Sequence, residues 1–141
     1  MRKQQLMTCV LAALGLLSAA ANAEIVVIVN PKNPASALTA EQVSSIYLGV
    51  SAKFPGGGAA VLADQLESAP IRDEFYQKAT GRSAAQAKAV WARLLFSGKG
   101  VLPKELKSDA EVKAFVASNP HAIGYVDSSA VDGSVKAVAK F

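Results

Sequence analysis

"EIVVIVN", residues 24–30, is followed at once by "PKNP", residues 31–34. A half-wet strand would place a polar side chain at every second position. A nearly continuous β-branched run closed by a proline-rich turn fits a strand covered on both faces. The reading is therefore a central strand with helices above and below it.

The helix starts supply the next layer of the argument. In "LTAEQVSSIYLG", residues 38–49, Thr39 can accept from the backbone of Gln42 while the Gln42 side chain reaches back, and Leu38 can pack on Val43. Ser83 with Gln86 and Ser108 with Glu111 repeat the same capping-box pattern. Gly49 and Gly98 stand where two of these helices should stop. "QAKAVWARLLF" (86–96) spaces Val90, Trp91, Leu94 and Leu95 on one face, and "EVKAFVASNP" (111–120) turns Val112, Phe115 and Val116 inward. "FPGGGAAVLAD" (54–64) reads as a flexible glycine loop and then a short strand ending at Asp64. "HAIGYVD" (121–127) and "SVKAVAKF" (134–141) read as two more strands, with Lys136 and Lys140 marking an edge. Alternation of about four strands with four helices predicts an α/β, three-layer single lobe on a mixed sheet.

The N-terminus has a basic start at Arg2 and Lys3, an apolar run from Leu6 to Leu17, and Ala21-Asn22-Ala23. That is the pattern of a secretory signal cleaved after Ala23, and the run is short for a membrane span. The expected organisation is a signal peptide over 1–23 and one domain over 24–141, exported to a bacterial periplasm. The single cysteine, Cys9, lies in the segment to be removed, so neither a disulfide nor thiol chemistry is expected of the mature chain. The whole chain has 15 basic and 11 acidic residues, a net charge of +4. Losing Arg2 and Lys3 leaves 13 against 11, or +2. No basic run interleaves with aromatics, which argues against nucleic-acid binding.

Catalytic and metal chemistry find little to work with. The chain has one histidine, His121, which follows Asn119-Pro120 and reads as a surface turn residue. No cluster of metal-ligand spacing occurs, so no metal or cofactor is expected. "FSGKG" (96–100) lacks the strand before and helix after that a phosphate loop requires, and Gly98 reads as a helix terminator. Trp91, at core spacing with Leu94 and Leu95, reads as packing.

One stretch carries binding chemistry: "QLESAPIRDEFY", residues 65–76. Pro70 suits the first position of a helix, whose free N–H groups and positive dipole end attract an anion. Arg72 adds a forked, permanently charged donor. Asp73, Glu74 and Glu67 compete for both. Two readings follow: an anion grip, or a structural ion pair.

In order along the chain, "IVVIVNPKNP", "LTAEQVSSIYLG", "ESAPIRDEF" and "NPHAIGYVD" resemble the substrate-binding proteins of bacterial phosphate ABC transporters and the wider PBP-like domain family. The resemblance covers nearly the whole chain after Ala23 and implies one lobe of the type II periplasmic-binding-protein kind. Family lobes close in pairs on an oxyanion and deliver it to a membrane permease. They carry an arginine and then an Asp-Gly-Ser-Gly-Thr-Arg turn. Placed on this sequence, that pattern puts Gln65 at the first arginine, Glu67 at the aspartate and Ser68 at the first glycine. Ala69 falls at the serine, Pro70 and Ile71 at the glycine and threonine, and Arg72 at the last arginine. The resemblance thus implies a ligand site at Gln65, Ser68, Ala69 and Arg72 for phosphate or another small oxyanion, with a permease, second lobe or second copy as partner. It also implies a non-enzyme. The departures remove an arginine, two hydroxyl donors and an N–H, so the alternative is an interaction module that keeps the lobe without solute binding.

Overall fold

The computed structural model describes residues 24–141. The expected signal peptide, its cleavage after Ala23, and Cys9 lie outside the described residues. Five strands form one sheet in the order β3-β2-β4-β1-β5. They are β1 (Ile25–Val29), β2 (Val61–Gln65), β3 (Lys104–Leu106), β4 (Ala122–Asp127) and β5 (Lys136–Lys140). β2 runs parallel to β3 and β4, whereas β1 is antiparallel to β4 and β5.

β1 is internal and all five of its residues are buried, as its unbroken apolar run requires. The alternation of side chains across the sheet then divides two cores. Ile25, Val27 and Val29 face helices α1 (Ala40–Tyr47), α2 (Pro70–Thr80) and α3 (Ala84–Phe96), meeting Val43, Ile46, Phe75 and Trp91. Val26 and Ile28 face α4 (Asp109–Ser118) through Val112 and Val116. The three-layer α/β expectation holds. α4 sits close on its strand because residue 124 is glycine: a Cβ there would stand 2.6 Å from Val112 Cγ1. Asn30, just past β1, donates to Val116 and Ala117 carbonyls at 2.9 and 3.0 Å and so satisfies the α4 C-terminus.

Capping chemistry behaves as read for α1 and α3, where Thr39/Gln42 and Ser83/Gln86 form complete boxes. At α4 only half the box forms. Ser108 accepts from Glu111 N at 3.2 Å, but the Glu111 carboxylate takes the amide of Lys107 at 2.7 Å. The sheet has a fifth strand beyond the expected four. β3 is three residues long with two charged side chains, so it has no apolar run to announce it; its pairing to β2 creates it. The glycine loop is closed rather than loose, because Phe54 N bonds Gly58 O and Gly57 N bonds Phe54 O, with Phe54 buried. The apolar face of α3 is only partly covered. Trp91 is buried and donates to Tyr47 O at 2.8 Å, whereas Leu95 is 49% exposed.

Candidate functional site

In an open α/β sheet, ligands collect outside the carboxyl ends of the parallel strands. Here that crest is made by the end of β2 with the α2 start, the end of β3 with the α4 start, and the end of β4. All four residues named from the sequence lie on it or just under it, but their chemistry is divided.

Arg72 points inward and is 6% exposed. Its Nη1 donates to Gln65 O and to Glu105 Oε1, each at 2.9 Å, and its Nε stands 3.8 Å from Asp64 Oδ1 without a hydrogen-bond partner. Burial disfavours its charge, but the Asp64 charge and the bond donated to Glu105 outweigh that and push the guanidinium pKa above its ordinary value. The acids that hold it are not its sequence neighbours. Asp73 accepts instead from Gln77 and from Ala84 N, and Glu74 pairs with Lys78.

The Gln65 amide is likewise engaged. Its Nε2 donates to Asp109 Oδ1 at 2.6 Å and to Tyr125 O at 3.1 Å, while the other Asp109 oxygen accepts from Asp127 N. Gln65 thus ties β2 to α4 and β4. Ser68 is exposed, and Ala69 is the N-cap of α2, with no side chain closing the helix end. Glu67 pairs with Lys88 on α3, which holds its carboxyl below the usual range. A hollow of about 390 Å³ beside the α2 start is lined by Glu67, Arg72, Asp73, Ala84, Ala85 and Lys88. Gln65, Ser68 and Ala69 do not line it.

Beneath the crest lies a polar knot that the sequence reading missed. Asp64, 2% exposed at the end of β2, accepts from Tyr125 OH, from Tyr76 OH at 2.7 Å and from Gln65 N at 2.9 Å. Tyr47 OH lies 3.0 Å from Ala63 O and 3.3 Å from Ile123 O. Burial, and then the Asp64 charge, raises the pKa of all three tyrosines well above the usual value. Raised that far, they are neutral donors, not bases or nucleophiles. Phe75 stacks on Tyr125 at 3.9 Å between centroids and packs edge-on to Tyr47. Two signals pointed here: a carboxylate closing an apolar strand needs partners, and Arg72 and Tyr76 share a helix face at i, i+4.

The arrangement presents one guanidinium, already held by Asp64 and Glu105, with Glu67 lining the same hollow. Among the described residues no group of three or more His, Cys, Asp or Glu could hold a metal ion. His121 is exposed beside the glycine loop.

No protein-family model and no curated protein matches the sequence. Solved structures do match. An ABC-type phosphate transport receptor from Vibrio cholerae aligns over 86% of this chain and 51% of its own, at 22% identity and a TM-score of 0.62. A Clostridium perfringens protein described as a phosphate ABC transporter substrate-binding protein, solved with bound phosphate, aligns over 82% and 45%, at 28% identity and a TM-score of 0.67. PstS from Borrelia burgdorferi aligns over 83% and 47%, at 14% identity and a TM-score of 0.58. The chain spans about half the length of the structures it matches. The resemblance carried by the ordered motifs holds in the fold: this is a single α/β lobe of the kind found in phosphate ABC transporter substrate-binding proteins.

Proposed function

We propose that the chain is an exported, non-enzymatic module that keeps the phosphate-receptor lobe and works through contacts with a partner, without holding a solute by itself. The observation that supports this is the engagement of Arg72 by Gln65 O, Glu105 and Asp64. A phosphate arriving there would have to displace Glu105 and then sit beside the buried Asp64 carboxylate. Two like charges about 4 Å apart repel by about 4 kcal/mol even at an effective dielectric constant near 20. One arginine bond contributes roughly 1.5–3 kcal/mol, which does not offset that.

Thermal unfolding with and without phosphate tests the reading. Millimolar phosphate at a site of micromolar Kd would add about 4 kcal/mol and raise the midpoint by roughly 15 °C. The expected result is no shift with phosphate or sulfate.

A second reading is oxyanion capture for ABC-type uptake, with another copy or another protein as the missing lobe and a permease downstream. The exposed Ser68 and the α2 start without a side-chain cap favour it, as does the phosphate bound in the Clostridium perfringens structure. A doubling of sedimentation mass that depends on phosphate would support this reading over the first.

A further inference from the structure

We propose that the side of the lobe between α3 and β3 holds a binding site for a neutral, mainly apolar small molecule that carries an uncharged oxygen acceptor. A hollow of about 490 Å³ opens there, larger than the one beside the α2 start. α3 buries only Ala87 and Trp91 against the body, so past Trp91 the helix leaves the flank of the short edge strand open. The walls of the hollow are apolar: Trp91, Ala92 and Leu95 come from α3, and Leu102 and Pro103 from the segment that leads into β3. Leu95 and Leu102 remain 49% and 54% exposed, apolar surface that a ligand would take out of water. A mostly apolar cavity of roughly 300–1,000 Å³ with a few converging polar groups is the usual form of a small-molecule site.

The charged groups select the ligand. Asp64, Glu105, Arg72 and Lys88 also line the hollow, two of each sign. All four already have partners. Arg72 lies beside Glu105 and Asp64, Asp64 accepts from Tyr76 and Tyr125, and Lys88 pairs with Glu67. An ion of either sign entering between these walls would lose its water and find no uncommitted charge to replace it, a loss that is not recovered. A neutral molecule avoids that cost. Its polar point is set by Arg72, whose Nε is the one buried side-chain polar atom without a partner among the described residues. A carbonyl or ether oxygen accepts from a guanidinium without the full negative charge that Asp64, 3.8 Å from that Nε, would repel. The inference goes beyond the proposed function, which concerns an oxyanion at the crest, and does not depend on it.

Nitrogen–proton correlation NMR tests it with residues 24–141, which contain the whole sheet and both cores. The single tryptophan of the chain, Trp91, lines the hollow, so one indole N–H signal reports on it. Acetophenone, a neutral aromatic ketone, is expected to move that signal saturably with a millimolar or tighter Kd. Benzoate and benzylammonium, similar in size but charged, should bind at least about tenfold more weakly. Toluene, which lacks an acceptor, should also bind more weakly than acetophenone. Trp91 borders a smaller hollow as well, so two substitutions fix the place: Ala92→Phe fills the larger hollow, Leu102→Asp charges its wall, and neither residue lines the smaller one. Each should weaken acetophenone binding at least about tenfold. Leu102→Asp, at a half-exposed position, keeps the test valid if Ala92→Phe lowers the melting midpoint. No saturable shift with acetophenone, equally tight binding of benzoate, benzylammonium or toluene, or binding untouched by both substitutions overturns the proposal.

Discussion

Raising the pH above about 10 is expected to unfold the domain abruptly. The chain has three tyrosines, Tyr47, Tyr76 and Tyr125, and all three are buried around Asp64. In the unfolded chain they release protons near pH 10. In the native state burial, reinforced by Asp64, holds them protonated well beyond that. A group whose folded pKa is raised contributes stability that is full below the unfolded pKa and lost as pH rises above it. Three protons retained by the native state and released by the unfolded one give a slope of about −4 kcal/mol per pH unit, at about 1.4 for each proton. Set against a typical stability of about 5–15 kcal/mol, that exhausts the fold within a few pH units. The check is tyrosinate absorbance recorded beside circular dichroism during an alkaline titration. Ionisation of all three rings should coincide with loss of helix. Gradual ionisation near pH 10 of a folded protein would mean that the hydroxyls are open to water.

Asp64→Ala should be the most damaging single side-chain truncation in the polar knot. It leaves the hydroxyls of Tyr76 and Tyr125 without their acceptor and removes one of the two carboxylates beside the Arg72 guanidinium. Removing one partner from a buried charged network costs about 3–5 kcal/mol, chiefly because the remaining charge stays buried. Each stranded hydroxyl adds about 1–3 kcal/mol of unrecovered desolvation, although the contributions overlap and do not sum. Asp64→Asn keeps the shape and one acceptor oxygen, so its loss should be smaller. Urea unfolding of the two variants measures the order. If Asp64→Ala cost under about 1 kcal/mol, the knot would be an open, hydrated cluster and not a support for the crest.

How much of this was legible in the sequence depended on how local each determinant is. Thr39/Gln42 and Ser83/Gln86 act over three residues, and both boxes form as read. The β1 run announced a strand covered on both faces, and the alternation of Val26 and Ile28 with Ile25, Val27 and Val29 delivers it. β3 was not legible because Lys104-Glu105-Leu106 gains its strand character from the β2 edge. Glu111 answers to Lys107 rather than to its cap, a choice between two amides four and three residues away that pattern alone does not decide.

The crest shows the same division. Arg72 could be picked out as the strongest charged donor, and it does sit at the start of α2 beneath Ala69. Which way its guanidinium turns is fixed by Glu105 on the edge strand, remote in sequence, and by Asp64 at the end of β2, eight residues before it. Gln65, matched to an arginine by the resemblance, is drawn into Asp109 and Tyr125 O for the same reason. Ser68 is exposed and Ala69 half-buried as the N-cap of α2.

Isothermal titration of residues 24–141 with inorganic phosphate puts the self-satisfied crest to its most direct test. The account predicts no saturable heat up to millimolar phosphate, since Arg72 Nη1 is taken by Gln65 O and Glu105 and the guanidinium already lies beside the Asp64 carboxylate. A one-to-one isotherm with a micromolar Kd, about −8 kcal/mol, would contradict it and establish the lobe as a phosphate binder in its own right.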